Sequence, residues 1–367
     1  MFTPSALSCL LMSKSSRYFK WHPNVSVNHS ITAGIAHVVM AFVDPILFST
    51  MAQLPSPPIM PVREVRNHFG NSTKVGVSLG GWGPFSTSFS SVSTEENRTT
   101  FAANLAIWVG KQGYDFVDID WEYPGGNGAS TPTNATEEIE NLPLFLSAIK
   151  KELKRQFIVL SVAGTPDGME AFKSVEQTKP IWDAIDFITV MAYDFVNSLN
   201  TGHHPDVKGS RAAIQRYIDL GLAFYAKYFG VADNRNKSML PSGCSILPAQ
   251  DHSGADTYKS GVMTFEAKNM NRKMPSQLQE SPNEACGYNN DIMASFKRAR
   301  DNSIYDQPNG GVWYFDETTS PKIFWTWETI ETLTRKFHDI VNSPTNKLGS
   351  TSSWTLGQNS GGWEYVK

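Results

Sequence analysis

The sequence predicts an α/β fold built on a mostly parallel sheet. Three observations lead there. Short apolar runs alternate with longer amphipathic segments through the first two thirds of the chain, the order that parallel strands and their crossover helices require. Each run is apolar on both faces, as strands covered on both sides are. Polar residues gather at the C-terminal ends of the runs, where barrels and open α/β sheets alike build their sites.

In chain order, strands are expected at Ala36 to Val43, Lys74 to Leu79, Phe116 to Tyr123, Ile158 to Ala163, Asp186 to Tyr193 and Ala223 to Phe229. Between them, amphipathic stretches predict helices at Thr94 to Gln112, Glu137 to Arg155 and Ser210 to Leu220. From Val231 to about Gly310 the pattern dissolves into polar sequence with Pro and Asn, relieved by a strand at Val262 to Phe265 and a helix at Asp291 to Arg300. This reads as an inserted α+β lobe. Aromatic strands return at Val312 to Phe315 and Ile323 to Trp327, followed by a helix at Glu328 to Val341 and a strand at Leu348 to Leu356. The division expected is 1–230, 231–322 for the lobe, and 323–367 for the last helix and strand.

Composition bounds the function. A formal net charge of -3 with no block of Lys or Arg offers no field for a polyanion, which argues against nucleic acid. The run from Ile35 to Val43 falls far short of the ~20 residues a membrane helix needs, so a soluble protein is expected. The opening stretch from Met1 to Met12 is too short and lacks the basic start of a secretory signal. Aromatic residues make up 12% of the chain, ten of them Trp. Such a surface suits neutral polar ligands with apolar faces, notably sugars, and equally a large aromatic core.

The densest chemical signal runs from Tyr114 to Pro124. Along a strand alternate side chains share a face, so Asp118, Asp120 and Glu122 point one way and Val117, Ile119 and Trp121 the other. At ~3.3 Å per residue, successive carboxylates on that face start about 6.6 Å apart. They cannot all ionise cheaply; one is raised and can hold a proton for a leaving oxygen. Two other readings are open at this point: the solvent face of an edge strand, and oxygen ligands for Mg or Ca. Ser78-Leu79-Gly80-Gly81 lacks the Lys of a P-loop and reads as a tight turn beside the acidic strand. His203 and His204 lack a third ligand at metal-binding spacing and read as loop residues.

The pattern Asp115-X-X-Asp118-X-Asp120-X-Glu122 resembles the signature of glycoside hydrolase family 18, the chitinases and their relatives. Further landmarks follow in order from about Arg17 to Trp363. They are Ser78 to Trp82 ending the third strand, Met191-Ala192-Tyr193-Asp194 ending the sixth, Phe224-Tyr225 in the seventh, and Trp354-Thr355-Leu356-Gly357 in the eighth. The segments Tyr123 to Gly128 and Phe324 to Trp327 are most like filamentous-fungal members.

The resemblance implies a (β/α)8 TIM barrel and a retaining, substrate-assisted hydrolysis of β-1,4-linked N-acetylglucosamine, with no cofactor or metal. It implies Glu122 as acid and base, Asp120 orienting the substrate acetamide, Asp118 sharing a proton with Asp120, and Tyr193 bonding the acetamide oxygen. Met191, Asp194, Trp82, Phe42 and Tyr225 would line the sugar pocket, with Trp354 as its floor. Chitin or its oligosaccharides would be the partner, the protein a monomer, and its place extracellular or in the cell wall. The alternatives are an inactive chitin-binding, lectin-like relative and an endo-β-N-acetylglucosaminidase acting on N-glycans.

Against the family pattern the barrel is expected to be imperfect at strands 1, 7 and 8. Arg17 to Pro23 is short and charged, the seventh strand seems to have lost its first half, and Ser350 to Ser353 puts hydroxyls where apolar residues would pack. Cys244 and Cys286 both fall in the lobe, which buries little apolar surface, and are expected to pair in an oxidising compartment.

Overall fold

The computed structural model describes residues 15–19, 35–50, 55–58, 60–126, 128, 134–164, 170–172, 175–195, 201–214, 219–232, 243–247, 257, 259–265, 290–343, 348 and 350–354. They fold into two compact units. The first takes Met1–Met191, Ala212–Gly221 and Leu348–Ser353; the second takes Ala192–Arg211, Leu222–Lys347 and Trp354–Lys367.

Eight strands make the principal sheet: β1 (Ser15–Phe19), β2 (Ile35–Val43), β3 (Lys74–Gly80), β4 (Phe116–Asp120), β5 (Phe157–Ala163), β6 (Phe187–Met191), β7 (Asp219–Ala223) and, last in the chain, β13 (Ser350–Trp354). Their spatial order is β6-β5-β4-β3-β2-β1-β13-β7. The ladders from β13 through β1 to β6 are parallel. Read as a ring, that is the strand order of a (β/α)8 barrel, the fold class expected. The crossovers carry helices α1 (Val62–Arg66), α2 (Pro84–Val92), α3 (Arg98–Gln112), α4 (Ala135–Glu152), α5 (Val175–Ala184) and α6 (Val207–Ile214).

Local chemistry sets these limits. α3 stops where Gly113 takes φ +79°, the left-handed turn a residue with Cβ resists. α4 starts where the Asn134 side chain accepts from the Glu137 amide. At the N-terminal ends of the strands, Phe116 stacks on Phe157 at 4.7 Å, and His37 meets the rings of Phe116, Phe157 and Phe187 within 5.7 Å. Gly76 makes room for this plug, since a Cβ there would lie 2.3 Å from the Phe116 ring. Burial first, and then Lys74, lower the His37 pKa, so the imidazole packs as a neutral ring.

The second unit holds a five-stranded sheet. It comprises β8 (Tyr225–Val231), β9 (Ser260–Thr264), β10 (Ile304–Asp306), β11 (Gly311–Asp316) and β12 (Lys322–Trp327), ordered β10-β11-β12-β8-β9 with antiparallel ladders. Helix α7 (Asn290–Asp301) packs Phe296 between Trp325, Trp327 and Phe265. Ser295 accepts from the Trp325 indole at 2.9 Å. Helix α8 (Ile330–Lys336) opens on a reciprocal cap between Thr329 and Thr332.

Three expectations change. The seventh strand lies at Asp219–Ala223 instead of Ala223 to Phe229, and the helix before it ends at Ile214 instead of Leu220. β7 is five residues long, like β4 and β6. Leu220 reads as the end of an amphipathic helix, but it lies in the sheet, buried with Leu222. The aromatic run that resembled strand seven is β8, recruited into the second sheet. β12, expected with the returning barrel segment, pairs with β8 and β11 in that sheet. Strand 1 is present but sits at Ser15–Phe19, between β13 and β2. Strand 8 does bury its hydroxyls: Thr351, Ser352 and Ser353 are at most 5% exposed, and the Ser353 hydroxyl has no hydrogen-bond partner among the described residues.

Candidate active site

In the first unit the site is built at the C-terminal end of β4. Asp115, at the other end of that strand, is scaffold: it accepts from the Val75 amide at 2.8 Å and from Arg66 at 2.7 Å, fastening β3 to β4. Asp118 is fully buried. Ser78, its register partner on β3, donates to Oδ2 at 2.5 Å, and Ser161 on β5 donates to Oδ1 at 2.9 Å. Asp120 is 3% exposed, and its Oδ1 has no hydrogen-bond partner among the described residues. Burial, then the charges of Glu122 and Asp118, push its carboxyl well above the usual range. A carboxyl raised in this way is what the crowding of three acids on one face predicts.

Glu122 follows the strand's last residue by two positions and is half-buried. Its amide donates to Ser86 Oγ in α2 at 2.6 Å. Trp121 turns to the other side and stacks on Phe89 at 5.3 Å, as strand alternation expects. The glycine pair after β3 lets the chain come close: Gly80 and Gly81 have φ of +97° and +84°, and the Gly81 amide donates to the Asp120 carbonyl at 2.8 Å. A Cβ on Gly80 would lie 2.3 Å from that carbonyl oxygen, and one on Gly81 2.7 Å from the Phe42 ring. Phe42 thus packs over the turn. Trp82 is 53% exposed, with its ring edge toward Tyr123 at 6.5 Å. Met191 closes β6, opposite Ala163.

The other expected residues belong to the second unit. Asp194 is a hub, with φ +57°, the only positive value among described residues other than glycine. It accepts from Tyr225 at 2.7 Å, contacts His204 Nδ1 at 3.1 Å and pairs with Lys227 at 3.0 Å. Burial alone would raise its pKa, but Lys227, His204 and Tyr225 outweigh that and hold the carboxyl far below the usual range. Tyr193 meets Tyr225 edge to face at 6.2 Å. Trp354 is half-buried, and its carbonyl accepts from the Phe224 amide at 2.7 Å.

Neither histidine is loose loop. His204 is fully buried, stacks on Tyr225 at 5.1 Å, and is driven by burial down to a pKa of about 4. His203 Nε2 bonds Asp306 at 3.0 Å. Sequence reasoning missed His204, Lys227 and the two serines on Asp118; Ser78 alone had a signal, a hydroxyl in the strand ending in the glycine turn. Among the described residues no group of three His, Cys, Asp or Glu is placed to hold a metal ion, and no helix is long and apolar enough to cross a membrane. Cys244 is a half-buried free thiol, and Cys286 lies outside the described residues.

Residues 14–359 match the family model described as "Glycosyl hydrolases family 18". Chitinase 1 of Aphanocladium album is 31% identical over 227 residues, which cover 53% of this chain and 48% of that one. The chain spans about half the length of that relative. Among solved structures, a chitinase from Rhizomucor miehei superposes with a TM-score of 0.65 at 16% identity, covering 96% of this chain and 99% of its own. A chitinase from Cycas revoluta in complex with (GlcNAc)3 gives 0.62 at 15% identity, covering 94% and 96%. At these identities the likeness is one of fold, and it agrees with the strand order found here. With the family match spanning nearly the whole chain, the chain belongs to family 18 of the glycosyl hydrolases.

Proposed function

We propose that this chain hydrolyses β-1,4 bonds between N-acetylglucosamine units of chitin, with retention and with the substrate's own acetamide as nucleophile. The observation that carries the reading is the stack on β4: Asp118 buried between two serine donors, Asp120 above it with a raised carboxyl and an unpartnered oxygen, and half-buried Glu122 beyond. The substrate-assisted route itself comes from the family.

In the first step Glu122 gives its proton to the glycosidic oxygen as the bond to C1 breaks. The acetamide oxygen bonds to C1, and the leaving sugar departs as an alcohol. Positive charge then develops on the acetamide nitrogen, next to which Asp120 supplies an acceptor, while Asp118 takes up or releases the shared proton. In the second step water loses a proton to Glu122, attacks C1 and displaces the acetamide oxygen. Two inversions give net retention. Tyr193, Asp194, Tyr225, Met191, Trp82, Phe42 and Trp354 are assigned to the sugar by the family resemblance. The solved relative with bound (GlcNAc)3 supports the substrate class, and an extracellular or cell-wall location goes with it.

The test exposes purified protein to chitin oligosaccharides and to a high-mannose glycoprotein, with Glu122→Gln alongside. Shortened oligosaccharides that first appear as the β-anomer are expected, with turnover reduced ~10²–10⁴-fold in the variant and binding retained. Release of glycan from the glycoprotein alone would move the substrate to N-glycans. Binding without turnover in the wild type would make the protein a lectin.

A further inference from the structure

We propose that Glu138, on the first turn of α4, is a positioning residue that fixes the loop carrying Glu122. The inference rests on the catalytic reading of Glu122. Glu138 is 5% exposed, and both its carboxylate oxygens are used. Oε2 accepts from the Gly125 amide at 3.0 Å, three residues beyond Glu122. Oε1 accepts from Ser90 Oγ at 2.5 Å.

Ser90 lies on α2, one turn after Ser86, the residue that receives the Glu122 amide. The same face of one helix therefore holds the loop twice, directly at Glu122 and through Glu138 at Gly125. Between those points the chain turns sharply: the Gly126 amide donates to the Tyr123 carbonyl at 3.1 Å, with Gly125 at φ +86° and Gly126 at φ +119°. A turn rich in glycine has little stiffness of its own. Two fixed ends give it one conformation, which is what a general acid two residues off a strand end needs. An amide in place of the carboxylate can keep its oxygen on the Gly125 amide only by turning its NH2 to Ser90 Oγ, so both charge-assisted hydrogen bonds become neutral, weaker ones.

The experiment uses the full chain with Glu138→Gln and Ser90→Ala. Hydrogen exchange read by mass spectrometry should accelerate by about tenfold or more in the peptide spanning 121–126, with the other strands and the Tm little changed. On chitin oligosaccharides kcat should fall up to ~10²-fold in Glu138→Gln and less in Ser90→Ala, with KM within about threefold of wild type. Unchanged exchange at 121–126, or faster exchange spread over the whole first unit, would overturn the proposal. If Glu138→Gln does not fold, Ser90→Ala alone decides by the same readouts. If the wild type cleaves no chitin, the functional reading fails by itself, and the exchange measurement still decides whether Glu138 holds the loop.

Discussion

Ser78 and Asp118 stand opposite one another across the β3–β4 ladder, and the serine hydroxyl donates to the buried carboxylate at 2.5 Å. With Ser161 on the other oxygen, Asp118 is held as an acceptor. Asp120 has an oxygen with no hydrogen-bond partner among the described residues. Two serines on neighbouring strands thus hold Asp118 by both oxygens, while burial and the charges of Glu122 and Asp118 raise the Asp120 carboxyl.

Asp118→Asn tests this division. Burial and Glu122 both outrank Asp118 among the causes of the Asp120 shift, so removing the Asp118 charge should lower the Asp120 pKa only in part. Carboxyl carbon NMR of labelled aspartate, followed against pH, measures it; an Asp120 titration that stays in place would refute the coupling.

Gly80→Ala should destabilise by about 3 kcal/mol or more, because φ +97° and an oxygen 2.3 Å from the new Cβ act together. Gly83 has φ +108° but nothing within 4 Å, so Gly83→Ala should cost only about 1–2 kcal/mol. Urea unfolding of the two variants ranks them, and equal losses would argue against the close approach of β3 to the Asp120 carbonyl.

His204 gives the fold an acid limb. Its pKa is about 4 in the folded protein against an ordinary 6.5, so between those values the unfolded chain binds the extra proton. Stability from this group is present near neutrality and is lost as pH falls from about 6.5 to about 4, by roughly 3 kcal/mol. Asp120 contributes the opposite slope, since its raised carboxyl favours the folded state at lower pH. Comparing wild type with His204→Gln cancels that part. Unfolding free energies at pH 7, 6 and 5 should converge toward the acid end, and parallel curves would exclude the buried neutral histidine.

Lys336 and Glu328 form an ion pair buried in the second unit, with Thr332 donating to Glu328 at 2.5 Å. Even with its partner, burial keeps the Glu328 pKa raised. Lys336→Met strands the carboxyl, so that variant should lose about 3–5 kcal/mol at neutral pH and less in acid, where Glu328 is protonated. Adding Glu328→Gln should restore most of the loss; calorimetry of the three proteins is the check.

Strands β2 to β6 and the shared face of Asp118 and Asp120 on β4 were legible in the sequence, because both depend on the two-residue period of a strand and on apolar runs that no solvent-exposed segment would carry. The order of the landmark motifs added the barrel. Only the tertiary structure decided where Leu220 belongs, since one leucine after an amphipathic stretch suits a helix end and a strand alike, and burial in the sheet selects the strand. It also decided that Tyr225 to Val231 pairs with Lys322 to Trp327, a ladder between segments some ninety residues apart. Ser161, Lys227, His204 and Glu138 gain their meaning from partners outside their own elements, through contacts that local sequence patterns do not encode: an acceptor on the neighbouring strand, a carboxylate reached by a buried imidazole, and a loop amide caught by the helix that follows it.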